Sequence, residues 1–171
     1  QFVEVFTSGE DEVQGVEFDM LALVAEGFTI AVNYDYLDYD IKDAIFPDGS
    51  DRTNTTELVW APEHAYSVIT DYNVPLDFGT LQFHLDYSWQ DDQLSLANTN
   101  FGRVEVEAFG LLNARISIAD IDAGDGKLQL AIWSKNLADA DDVNYRIGAT
   151  ATTHLQPRTF GMDIVYEFGG K

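Results

Sequence analysis

The chain has 171 residues, 46% of them hydrophobic, which suits one domain with a sizeable core. Its 30 Asp and Glu against 9 Lys and Arg give a net charge of −21. That balance argues against binding nucleic acid, which needs cations to neutralise phosphates, and against docking on anionic lipid. The absence of cysteine excludes disulfide scaffolds, thiolate metal sites and cysteine nucleophiles.

Mean hydropathy is −0.14. The longest apolar stretch, residues 20–25, falls far short of the roughly 20 residues of a spanning helix. Any membrane crossing must therefore use strands. The sequence opens at Gln1 without a leader pattern, the expectation for a processed chain or a fragment.

Taken in chain order, the dominant signal is period-2 alternation. Residues 2–6 read as the end of a strand, and 14–24 as a second strand. In the next, Phe28, Ile30, Val32, Tyr34 and Tyr36 alternate with Thr29, Ala31, Asn33 and Asp35. Residues 66–74 follow less cleanly. Leu81, Phe83, Leu85, Tyr87 and Trp89 then alternate with Gln82, His84, Asp86, Ser88 and Gln90. Residues 110–118 and 127–136 supply two more strands. The last runs over 159–168, with Phe160, Met162, Ile164, Tyr166 and Phe168 on one face and Gly161, Asp163 and Glu167 on the other. No stretch reads as an amphipathic helix.

These segments run about 9–11 residues, the length a tilted strand needs to cross a bilayer. The links between them alternate. Short ones fall at 26–27, 75–79 and 119–126; long ones, rich in Asp, Asn and Thr, fall at 38–63, 91–108 and 137–157. Short and long links on opposite ends of a sheet are the habit of outer-membrane barrels, with tight periplasmic turns and long extracellular loops. A water-exposed antiparallel sandwich would also alternate. Two features favour the barrel: polar residues such as Asp86, His84 and Gln82 on strands of spanning length, and aromatics near strand ends. The expected fold is thus an all-β, antiparallel transmembrane barrel or part of one, with seven or eight strands in residues 1–171.

No catalytic set and no metal site can be assembled. His64, His84 and His154 lie on different segments, and His84 reads as a satisfied wall residue beside Asp86. Asp120, Asp122 and Asp125, and Asp139, Asp141 and Asp142, do not fit a calcium loop; the reading is solvated acidic loops, with loose divalent-cation binding the lesser alternative. No cofactor is expected, and no ligand-binding residue can be singled out. Arg115 and Lys135 are expected on the polar face, paired with acids.

Several stretches together resemble the TonB-dependent outer-membrane receptors. Gln14-Gly15-Val16-Glu17-Phe18 and Ala61-Pro62-Glu63-His64 are similar to strand starts of that family. Ile132-Trp133-Ser134-Lys135-Asn136-Leu137-Ala138-Asp139 resembles the strand before its last, and Phe109-Gly110-Leu111-Leu112-Asn113-Ala114-Arg115-Ile116 the strand before that. Residues 156–168 resemble its last strand, in the same order along the chain. The resemblance implies a C-terminal barrel segment, without the family's plug domain, that supplies wall and extracellular loops for uptake of a siderophore, cobalamin or glycan. It implies no enzyme activity and an outer-membrane location. Its partners would be outer-membrane lipid, the barrel-assembly machinery that reads Gly161, Ile164, Tyr166 and Phe168, and the remainder of a receptor chain or further copies of this one. The family usually ends on its terminal Phe, whereas Gly169-Gly170-Lys171 follows here. The alternatives are a free-standing eight-stranded barrel with a structural or interaction role, and a soluble acidic β-domain.

Overall fold

The computed structural model describes residues 10–98, 102–147 and 151–168. The strands are β1 (Glu10–Ala25), β2 (Phe28–Asp43), β3 (His64–Leu76), β4 (Gly79–Gln90), β5 (Gln93–Asn98), β6 (Gly102–Val106), β7 (Phe109–Ala123), β8 (Gly126–Lys135), β9 (Val143–Ile147), β10 (Ala151–His154) and β11 (Thr159–Phe168). Seven of them form one antiparallel sheet in the order β1-β2-β3-β4-β7-β8-β11. β5/β6 and β9/β10 are separate hairpins. Among the described residues the sole helical element is a 3-10 turn, Thr53–Thr55. None is long and apolar enough to cross a membrane, which has no bearing on strands.

Register decides which residues share a face, because a slip of one residue would turn every side chain over. Here each pairing keeps the apolar sets together. Val32 lies opposite Val68, and Val68 opposite Tyr87. Tyr87 lies opposite Leu112. Ile116 faces Ile132, and Ile132 faces Met162. The result is one apolar face across seven strands, broken mainly by the small residues Thr70, Ala114 and Ser134.

Aromatic rows bound this face. At the turn end Phe28, Tyr72 and Phe83 touch in series, at ring distances of 5.9 and 6.3 Å. At the loop end Tyr34, Tyr36 and His64 cluster, and Tyr66 stacks on Trp89 at 5.3 Å. Phe28 and Tyr36 are separated by about 26 Å of strand at roughly 3.3 Å per residue, or about 20 Å across a bilayer at the roughly 40° tilt of barrel strands.

The strands exceed their expected lengths. β1 and β2 have 16 residues each and β7 has 15. The link expected at 119–126 is mostly strand: β7 continues to Ala123 and turns on Gly124 and Asp125. A bulge between Ile118 and Ile121, with Asp120 at φ +60, breaks the alternation there. Two of the long links, expected as loops, instead contain the β5/β6 and β9/β10 hairpins. Residues 2–6, expected as a strand end, lie outside the described residues.

The sheet has little interior of its own, since none of the described residues forms a layer over either face. Large apolar side chains on the apolar face stay open: Met162 is 73% exposed and Phe168 86%. Three glycines let aromatic rings approach the backbone closely. The Trp133 ring covers Gly161, Tyr87 covers Gly110, and Tyr166 covers Gly126. At Gly161 the space that a Cβ would need is filled by Trp133. The covering ring supplies the packing that the missing side chain cannot.

This contact is directly testable. Gly161→Val puts carbon where the indole sits, and overpacking costs about 1–3 kcal/mol. The additional change Trp133→Ala should return part of that loss. Urea unfolding of both variants, followed by far-UV circular dichroism, checks the coupling; simple additivity would refute it.

Candidate functional site: the polar face and its loop cap

The opposite face follows from the same register. One row carries Thr29, Asp71, His84 and Arg115, and continues to Trp133 and Gly161. Towards the loop end come Ala31, Ile69, Asp86 and Asn113, then Asn33, Ser67, Ser88 and Leu111. The last row holds Asp35, Ala65, Gln90 and Phe109. Polar side chains on neighbouring strands are close enough to bond one another.

They do so in two groups. On β7, β8 and β11, Arg115 Nη1 donates to Asp163 Oδ2 at 2.5 Å and the Trp133 indole N–H to Asp163 Oδ1 at 3.3 Å. Arg115 thus lies on the polar face with an acid, as expected. Lys135 has the expected facing by register, but no carboxylate pairs with it among the described residues.

The second group crosses the sheet towards the loops. His84 Nδ1 bonds Asp71 Oδ1 at 2.7 Å, and its Nε2 lies 3.5 Å from Asp86 Oδ2. Asn113 Nδ2 donates to Asp86 Oδ1 at 2.7 Å, and Asn113 Oδ1 accepts from the backbone N–H of Asn136 at 2.9 Å. His84 is therefore the satisfied wall residue the sequence suggests, with Asp71 as an additional partner.

Asn136 is the residue that sequence reasoning overlooked. It follows β8 directly, at φ +50, in the left-handed region that asparagine tolerates better than most. It is 2% exposed. Its Nδ2 donates to Ala140 O at 2.8 Å and Gln156 O at 2.9 Å, and its Oδ1 accepts from Ala140 N at 2.9 Å. Beside it Arg158 Nη2 pairs with Asp139 at 3.1 Å. The segments 132–139 and 156–168 are thus clamped together at the base of one long link. The signal was present in Asn136 following a strand, but its carbonyl partners are distant in sequence.

Above this clamp the links pack into a cap. Leu94, Val104, Val106 and Leu155 are buried. The Ser95 hydroxyl donates to the Arg146 carbonyl and accepts from the Arg146 N–H at 3.0 Å, tying hairpin β5/β6 to β9/β10. Trp60, from the first long link, donates its backbone N–H to Leu94 O at 2.9 Å and stacks on Tyr145 at 4.9 Å. The first link also folds locally. Asp48 accepts from Ser50 and pairs with Arg52 at 3.2 Å, and Asp51 accepts from Thr53. Hydrogen bonds from Ser50 hold the Asp48 carboxyl below its usual range, and those from Thr53 do the same for Asp51.

The acidic groups considered as metal sites do not assemble: among the described residues no cluster of His, Asp and Glu could hold a metal ion. Asp122 pairs with Lys127 at 2.5 Å, Asp139 with Arg158, and Asp141 lies 3.3 Å from His154.

No protein-family model and no curated protein matches the chain. Solved structures do. The ferric preacinetobactin receptor of Acinetobacter baumannii superposes with a TM-score of 0.74 at 16% identity, over 94% of this chain and 23% of the receptor. The ferric yersiniabactin uptake receptor of Yersinia pestis gives 0.72 at 12% identity, over 94% and 24%. The ferripyoverdine receptor of the outer membrane of Pseudomonas aeruginosa gives 0.61 at 17% identity, over 89% and 19%. The chain therefore has the fold of a wall segment from an outer-membrane receptor barrel. It spans about a quarter or less of the length of these receptors.

Two outcomes follow from the clamp and the cap. Asn136→Ala strands buried polar groups that each cost about 1–3 kcal/mol; amide exchange should quicken across 137–157 while β3 and β4 keep their protection. Equal acceleration everywhere would contradict a local clamp. For the first link, a depressed carboxylate pKa gives stability that is complete above the ordinary value of 3.8 and is lost as pH falls through the lowered value. Exchange in residues 46–56 should therefore hold steady from pH 7 to about 5 and, after correction for intrinsic rates, rise only in stronger acid.

Proposed function

We propose that this chain is the C-terminal wall and extracellular-loop segment of a TonB-dependent outer-membrane receptor, serving uptake of a scarce ligand and carrying no catalytic chemistry. The observation that carries the reading is the two-faced sheet: apolar and rimmed by aromatics on one side, polar and cross-bonded on the other. Hydrocarbon accepts the first face, and a water-filled or protein-filled lumen accepts the second. The likeness to siderophore receptors over most of the chain supports it.

In this reading the short turns are periplasmic and the cap is extracellular. β1 and β11 are the edges of the sheet. Unpaired backbone is not tolerated in hydrocarbon, so both edges pair with further strands, from the remainder of a receptor or from copies of this chain. Gly161, Ile164, Tyr166 and Phe168 serve as the insertion signal read by the assembly machinery. Gly161 lies under Trp133, and the other three lie on the apolar face.

The test uses adjacent positions of opposite facing. Ile164→Arg places a cation against lipid, at a cost of about 2–4 kcal/mol near mid-depth, and should abolish recovery from the outer membrane. Val165→Arg, on the polar face, should be recovered near the level of the parent. Equal recovery of the two would refute the assignment of faces. A parent reading frame with no plug-encoding sequence upstream would refute the receptor role.

A further inference from the structure

The polar face has a recess near its loop end, with a volume of about 260 Å³. Register explains why it is there. Two rows cross four strands: Asn33, Ser67 and Ser88, then Asp35, Ala65, Gln90 and Phe109. Ala65, Ser67 and Ser88 are small and form the floor. Asn33 and Asp35 wall one side; Gln90 and Phe109 wall the other.

The donor and acceptor inventory is unusual for a wall otherwise tied up in cross-strand bonds. Asn33 Nδ2 donates to Ser67 at 2.9 Å, which leaves its carbonyl oxygen open. No side-chain hydrogen bond engages Asp35, Ser88 or Gln90 among the described residues. The recess thus offers amide, hydroxyl and carboxylate groups beside one aromatic ring. It offers no cation. Neither row contains Lys or Arg, and Glu17 lies directly opposite Asp35 on β1, adding a second carboxylate at the rim. Arg115 sits two rows away and is bound to Asp163. Lys42, Arg52, Lys127 and Arg158 are likewise paired with carboxylates; Lys135, which pairs with no carboxylate among the described residues, lies on β8 outside the recess. In a concave site the field of like charges is concentrated, so an anionic ligand is repelled where it would have to sit.

We propose that this recess is a ligand subsite for an uncharged, hydroxyl-rich molecule of the saccharide class, and that it discriminates against anionic ferric chelates. Amides and carboxylates bond sugar hydroxyls in both directions, and the Phe109 ring gives the apolar sugar face a platform. The proposal rests on the receptor reading above and narrows its ligand class.

The test is titration calorimetry on the full chain purified from membranes in a detergent without a sugar headgroup. The probes are a panel of neutral gluco-, manno-, xylo- and galacto-oligosaccharides, with ferric citrate and a ferric tricatecholate as the anionic arm. At least one neutral oligosaccharide should saturate the protein. Asn33→Ala and Gln90→Ala should each weaken it roughly threefold to tenfold, the worth of one or two neutral hydrogen bonds. Neither chelate should bind. The proposal is overturned if no oligosaccharide in the panel binds, if its binding is indifferent to both substitutions, or if a chelate binds and loses affinity on the same substitutions. Absence of the chain from the outer membrane would instead sink the receptor reading and leave the calorimetry to be judged alone.

Discussion

The structure depends on strand register. Along one face of the seven-stranded sheet the register sets mainly apolar residues against apolar ones, from Phe18 opposite Tyr34 on β1/β2 to Leu130 opposite Ile164 on β8/β11. A sheet with one face in a core could absorb a local slip by repacking. This one has no layer of described residues over either face, so register alone keeps Met162 and Phe168 on one side and Asp163 and Glu167 on the other. The glycine–aromatic contacts reinforce it. Trp133 can lie over Gly161 only if those two residues stay paired across β8 and β11.

The consequence is an inverted distribution of order. In a water-exposed domain the strands would surround the core. Here the buried side chains cluster in the links, around Val106, Leu94 and Leu155. The polar face is held by bonds between strands, with the run from Asp71 through His84, Asp86 and Asn113 reaching Asn136 at the base of the cap. The cap is thereby joined to the wall by geometry rather than by apolar burial. That suits a scaffold whose loops must hold a shape without a hydrophobic layer beneath them.

Much of this was legible in the sequence. Alternation at 28–36, 81–90 and 159–168 placed those strands and assigned their faces correctly, because a period of two is unambiguous when apolar and polar residues differ sharply. The bulge near Asp120 was not legible, since Asp120 and Asp122 read as turn residues although β7 runs on past them. The hairpins in the long links were missed for a related reason. Leu94 and Leu96, and Val104 and Val106, alternate over too few residues to stand out beside Asp and Asn. The clamp at Asn136 needed the fold itself: Ala140 is near in sequence, but Gln156 and Asn113 are not. The recess at Asn33, Gln90 and Phe109 was invisible for the same reason, being assembled from four strands.

The central claim is that alternate residues of these strands face hydrocarbon and water. The most direct measurement is spin-label accessibility along β11 in lipid bilayers, one label at a time from Phe160 to Phe168. Oxygen, which partitions into lipid, should reach labels at 160, 162, 164, 166 and 168. A water-soluble nickel reagent should reach labels at 161, 163, 165 and 167, with the two profiles out of phase at a period of two. In-phase profiles, or nickel access at every position, would contradict the account.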